Sequence, residues 1–237
     1  MKLIQRTALL ILFVALFTGF GQAQISFGFI GGAANYQGDI AKDITNMKEN
    51  HIAIGGGLGY RINPYIDVKA QVILTKLSGD DANYPDDQAR ATRLFKFESN
   101  ILEVAGIVDY SIFGGGTESK TGVYNPKLSP IVYTGIGIIK IDNNAECYSE
   151  ACKSGAILNP FPEKDNDVSV LLTIPIGVGL KYDATRLLSF GVRGGYRYSF
   201  SDYLDGISQA ANAGKNDWYF VLGANVTFYL QPRKDGF

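Results

Sequence analysis

The sequence predicts an all-β fold, an eight-stranded antiparallel transmembrane β-barrel of the outer-membrane type. Three observations lead there. First, residues 168–180 alternate: Val168, Val170, Leu172, Ile174, Ile176, Val178 and Leu180 share one parity, while Ser169, Leu171, Thr173, Pro175, Gly177, Gly179 and Lys181 share the other. A strand of period two sends these sets to opposite faces, so the apolar face turns away from a small, polar one. Second, the chain opens with an export signal. Lys2 and Arg6 precede an apolar run over 8–17, and Gly21-Gln22-Ala23 forms a small-x-small cleavage site. Third, the links between alternating segments are short at one end and long and polar at the other.

Eight candidate strands follow in order. The first covers 25–33. The second, 51–62, sets Ile52, Ile54, Leu58 and Tyr60 against Ala53, Gly55, Gly57, Gly59 and Arg61. Asn63-Pro64 turns the chain into the third, 65–76, where Ile66, Val68, Ala70, Val72 and Leu74 alternate with Asp67, Lys69, Gln71 and Ile73. The fourth, 91–113, sets Leu102, Val104, Val108, Tyr110 and Ile112 against Glu103, Ala105, Ile107 and Asp109. The fifth, 130–141, has ambiguous facing, and the sixth is the segment at 168–180. The seventh, 188–200, opposes Leu188, Phe190, Val192, Tyr196, Tyr198 and Phe200 to Ser189, Gly191, Arg193, Gly195 and Arg197. The eighth, 217–230, opposes Trp218, Phe220, Leu222, Ala224, Val226, Phe228 and Leu230 to Tyr219, Gly223, Asn225 and Thr227.

The links at 62–65, 113–128 and 182–187 form the short end, the middle one fitting least well; those at 35–50, 77–90, 142–167 and 201–216 form the long end. Short turns face the periplasm in outer-membrane barrels, which places both termini there and makes the chain multi-pass in the outer membrane. Tyr60, Tyr65, Tyr110, Phe113, Tyr182, Phe228 and Tyr229 gather at that end as an expected interface girdle. A soluble lipocalin-like barrel would hide its apolar face inside. The smallness of the other face and the loop asymmetry favour lipid as the partner of the apolar one. The 28 glycines, 14 phenylalanines and 14 tyrosines suit the same architecture.

Residues 1–23 are expected to leave as a signal peptide, with 24–237 forming a single barrel domain. Taking Lys2 and Arg6 from 22 basic against 23 acidic side chains leaves a net charge of −3, which argues against a nucleic-acid partner. Cys147 and Cys152 share one loop of an exported chain, so a local disulfide is expected. Two thiols alone make no closed zinc site, and the single histidine, His51, is distant in sequence.

Arg61, Asp67, Lys69, Glu103, Asp109, Lys181, Arg193 and Arg197 all carry the inner parity. Eight strands leave room only for side chains, so these charges read as a paired ionic core rather than a channel lining. His51 has no serine two or four residues away on its own strand, and reads as a polar rim residue rather than a hydrolase base. Asp80-Asp81 and Asp86-Asp87 lack EF-hand spacing and read as solvated loop acids. Pro175 removes a ladder donor in mid-strand and predicts a bulge. No cofactor, catalytic set or small-molecule substrate is indicated.

Two loop motifs remain: Asn35-Tyr36-x-Gly38-Asp39 after the first strand, and Phe200-x-Asp202-Tyr203-Leu204-Asp205-x-Ile207-Ser208 after the seventh. With Asp217-Trp218-Tyr219-Phe220 opening the last strand, they resemble the PorG-like, DUF6089-type outer-membrane barrels of Bacteroidota, over nearly the whole mature chain. The resemblance implies an eight-stranded barrel. It further implies a non-enzymatic structural or anchoring role in the type IX (Por) protein secretion machinery, docking a periplasmic ring of a lipoprotein and its partner. A ring contact is expected on the 113–128 turn and the tail 231–237. The alternative is a surface-exposed binding or adhesion barrel working through its long loops.

Overall fold

A computed structural model describes residues 24–37, 49–84, 87, 94–119, 121–150, 170–200, 204 and 217–230. Among these residues ten strands form: β1 (Gln24–Gln37), β2 (His51–Arg61), β3 (Ile66–Asp80), β4 (Phe95–Ser111), β5 (Thr117–Glu118), β6 (Tyr124–Asn125), β7 (Lys127–Cys147), β8 (Val170–Asp183), β9 (Leu188–Ser199) and β10 (Trp218–Tyr229). Eight of them close into a barrel in the order β1-β10-β9-β8-β7-β4-β3-β2, while β5 and β6 make a separate two-stranded hairpin. Every neighbouring pair is antiparallel, including the closing pair of β1 with β10. Closure removes the free sheet edges that an open sheet of this length would expose.

The outer wall is apolar. Phe29 is 59 % exposed, Leu58 67 %, Ile136 68 % and Val178 63 %, and comparable side chains surround the barrel. A continuous apolar exterior on this scale has no place in water and fits a bilayer, where a closed barrel also pairs its own backbone groups. Tyr65, Tyr110, Phe113, Tyr182 and Phe228 stand exposed near the short-turn end. Tyr229 departs from the expected girdle. It lies inside, under the Arg61 guanidinium at 4.1 Å from the ring centroid, because it shares the inner parity of Tyr219, Val221 and Thr227.

The facing of β7, open from sequence, is settled by burial. Ser129, Ile131, Tyr133, Ile139 and Ile141 point in, while Val132, Ile136 and Ile138 point out. Several strands outrun their predicted ends. β3 continues through Leu77 to Asp80 and β7 through Asp142 to Cys147, and these extensions pair with β4 from Phe95 to Asn100. Apolar alternation stops where the apolar wall stops, whereas hydrogen bonding continues into polar surroundings.

Pro175 makes no bulge. On the β7 side, Thr134 pairs with Ile176 and Gly137 with Thr173, one register resuming unchanged across two unpaired positions. On the β9 side, Pro175 pairs with Arg197 without interruption. Beside it, Tyr133, Gly177 and Gly195 lie in one cross-strand row. A Cβ on Gly177 would come within 2.5 Å of the Tyr133 ring, and one on Gly195 within 2.3 Å of its hydroxyl, so glycine makes the space in which the tyrosine lies.

Candidate functional site

The barrel interior is occupied mainly by charged side chains below and apolar ones above, with a small cavity left at mid-height beside Lys69, Gln71, Arg193 and Asn225. Nearest the short turns, the Arg61 Nε donates to Asp67 at 2.9 Å and its Nη2 reaches Asp183 at 3.3 Å and the Tyr229 hydroxyl. Lys181 donates to the other Asp67 oxygen at 2.7 Å. At mid-height Asp109 receives Lys69 at 2.6 Å and Arg193 at 2.7 Å, and the Arg193 guanidinium lies 5.2 Å from the Tyr133 ring centroid. Higher still, Arg197 pairs with Glu103 at 3.4 Å, and Tyr219 donates to the same carboxylate. The structure thus brings all eight inner-parity charges into contact with opposite charge. Buried ions of this kind are costly to strand, so each pair fixes the register of the strands that carry it.

Above Glu103 the filling changes character. Ile73, Leu77, Phe95, Phe97, Ile101, Ile139, Ile141, Leu171 and Val221 form an apolar cluster with Tyr36 and Tyr219. Most of this cluster lies on the inner parity within the predicted strands, with Leu77 and Tyr36 added from their long-end extensions, whereas the sequence singled out the inner face for its charges. Tyr36 meets Phe97 edge-on at 4.7 Å.

Leu204 completes the cluster from the connection between β9 and β10. It is fully buried, its amide donates to Asp217 Oδ2 at 3.1 Å, and its carbonyl accepts from Ser99 at 3.0 Å. The other Asp217 oxygen accepts the Tyr36 hydroxyl at 2.7 Å. All three sequence motifs therefore meet at one point: Tyr36 from the first, Leu204 from the second and Asp217 from the third. Asn35 donates to Asn50 at 2.8 Å, and Phe200 stands exposed beside Tyr198. Gly38, Asp39, Asp202, Tyr203 and Asp205 lie outside the described residues.

The opposite end is closed by the link between β4 and β7, where the sequence showed only a Gly-rich turn. The Gly115 amide donates to the Pro64 carbonyl at 2.7 Å, and the Gly116 amide to Asp183 at 3.0 Å. Arg186, in the turn between β8 and β9, reaches Glu118 and the Gly122 carbonyl, each at 2.5 Å. Gly114 has φ +74° and Gly122 φ +80°, conformations that place glycine at both bends of this excursion.

The remaining candidates sit on the long-end rim. His51 Nε2 lies 2.7 Å from Ser78 Oγ. Inspection of His51's own strand missed this partner, because it comes from β3. Asp80 caps the turn at Asp81–Asn83 by accepting the Ala82 amide at 2.9 Å, and Asp81 accepts the Phe95 amide at 3.0 Å. No cluster able to hold a metal ion occurs among the described residues. Glu49 accepts from the Asp80 amide, Asn83 and Tyr84, and burial pushes its carboxyl above the usual range. Cys147 ends β7 with Sγ 3.4 Å from Ser149 Oγ, while Cys152 lies outside the described residues, as does the signal segment.

These features define a class: a closed eight-stranded β-barrel of the outer-membrane type, apolar outside and with a lumen of ion pairs capped by an apolar cluster. Residues 6–233 match the family DUF6089, a domain of unknown function, and the chain belongs to that family. No curated protein matches it. Among solved structures it is similar to the attachment invasion locus protein Ail of Yersinia pestis, at 15 % identity over 88 % of this chain and 99 % of that one, TM-score 0.35. It is likewise similar to Neisserial surface protein A, at 15 % identity over 87 % and 96 %, TM-score 0.37. OprG of Pseudomonas aeruginosa aligns at 10 % identity over 87 % and 96 %, TM-score 0.41.

Proposed function

We propose that this protein is an outer-membrane anchor, with its short turns and both termini in the periplasm, that docks a periplasmic ring of the type IX secretion machinery. The observation that carries the anchor reading is the filled lumen: stacked ion pairs below, an apolar cluster and Leu204 above. A barrel sealed in this way offers its ends, not its interior, to partners. The β5–β6 excursion is the surface suited to docking, because Gly115, Gly116 and Glu118 tie it at three points to two hairpin ends of the barrel, β2–β3 and β8–β9. A projection held at several points loses little freedom when a partner binds it. The secretion role itself rests on the PorG-like motifs.

The test replaces residues 117–125 by a two-residue turn in a tagged protein expressed in its native host. Heat-modifiable gel mobility would report an intact barrel. Loss of co-purifying periplasmic ring proteins is expected; undiminished recovery would overturn the docking assignment. Retained ring binding with loss of cell attachment after protease treatment of intact cells would favour the surface-binding barrel instead.

A further inference from the structure

The long-end rim carries a constellation that the anchoring role does not use. Ser78 belongs to the lipid-side parity of β3, in series with the exposed Val72 and Leu74 and with Lys76. The β2–β3 ladder ends at Ile54 and Leu74, so the last part of β3 runs on without β2, and His51 sits where the two strands part. There His51 Nε2 meets Ser78 Oγ at 2.7 Å, a hydroxyl–imidazole distance suited to proton transfer. Across the β3–β4 ladder the direct partner of Ser78 is Glu98, whose carboxylate binds Lys76 at 2.5 Å. Immediately below, an open groove of about 500 Å³ has Ile52, Ile54, Leu74 and Leu102 along its apolar wall and Lys76 and Lys140 among its polar residues. His51 carries the inner parity of β2, opposite Ala34, yet its imidazole reaches Ser78 on the outward parity of β3, so serine and base meet at the rim above a trough that holds two ammonium groups and the Asp142 carboxylate.

We propose that Ser78 and His51 form a hydrolytic dyad acting on the acyl esters of anionic membrane lipids, with the acyl chain lying in this groove. Ser78 Oγ attacks the ester carbonyl carbon while His51 Nε2 takes its proton. The tetrahedral adduct collapses, the carbon–oxygen bond to the lipid alcohol breaks, and His51 returns the proton to that oxygen. Water, deprotonated by the same imidazole, then attacks the acyl-serine. Its collapse frees the fatty acid and restores the Ser78 hydroxyl, with one ester and one water consumed and no oxidant needed. Lys76 and Lys140 provide for the anionic headgroup. Lys76 also holds Glu98 beside Ser78, so the imidazole faces an ion pair rather than a lone carboxylate.

The experiment uses the full mature barrel in detergent micelles. Three probes are presented in separate arms: p-nitrophenyl laurate, diacylphosphatidylglycerol and lipid A. A fluorophosphonate label followed by peptide mass spectrometry locates any reactive serine. Release of laurate and of fatty acid from at least one of the two lipids is expected, with label on Ser78. Which lipid is cut decides between a glycerophospholipid and an acylated glucosamine substrate. Ser78→Ala should abolish release and labelling. His51→Gln should lower release about 100-fold or more, the range seen when a general base is lost. Both variants should retain heat-modifiable mobility, since neither residue belongs to the filled interior. Failure of the folded wild type to label or to release acid from any probe would overturn the proposal, as would release that persists in Ser78→Ala. Neither result bears on docking, which involves the opposite end of the barrel.

Discussion

Asp67 shows how much one side chain carries in a lumen of paired charges. It holds Arg61 with one oxygen and Lys181 with the other, and all three are almost wholly buried. Asp67→Asn leaves two cations facing one remaining local carboxylate, Asp183. Removing one member of a buried ionic group destabilises by about 3–5 kcal/mol. Unfolding of the detergent-folded barrel in guanidinium should therefore shift to clearly lower denaturant. The double variant Asp67→Asn with Lys181→Met should recover part of that loss. An unchanged midpoint in the single variant would contradict the interior as described. Parity in the sequence was enough to put this residue inside, because every second position of an uninterrupted strand shares a face. Which cation it meets was not legible there, because the pairing depends on the order in which the eight strands close.

At the level of elements, the connection between β9 and β10 is held to the barrel mouth through Leu204 and the Asp217 carboxylate. Tyr36→Phe removes a buried hydrogen bond to that carboxylate, an interaction of about 1.5–3 kcal/mol. The Leu204 amide, bonded to the same group, should exchange its hydrogen about tenfold faster or more. Exchange no faster than in the wild type would show that Asp217 holds Leu204 without help from β1. The motif residues were visible in the sequence as residues, but their meeting was not, since Tyr36 and Asp217 stand 181 positions apart. The boundaries of β3 and β7 were misread for a related reason: a change from apolar to polar marks the rim of the bilayer, not the end of a strand. His51 was judged against its own strand, whereas its partner lies on the next one, where the ladder has opened.

For the whole molecule, the contents of the lumen decide what can cross it. A column of paired charge topped by isoleucine, leucine and phenylalanine leaves no continuous aqueous path, and eight strands enclose little more than their own side chains. The reconstituted protein should show no steady single-channel conductance in planar bilayers. Sustained, ion-selective openings would contradict an interior of this kind and reopen a transport role.

The gap in the β7–β8 ladder beside Pro175 has a mechanical meaning for such a molecule. A closed hoop shares load around its circumference, through the ladders that join each stave to its neighbours. Here, in mid-wall, the hoop has two missing rivets, flanked by the Gly177 and Gly195 pair that gives the wall little side-chain bulk. A cylinder with one thin, unriveted place yields there first, so the fold specifies where it would split as well as how it closes.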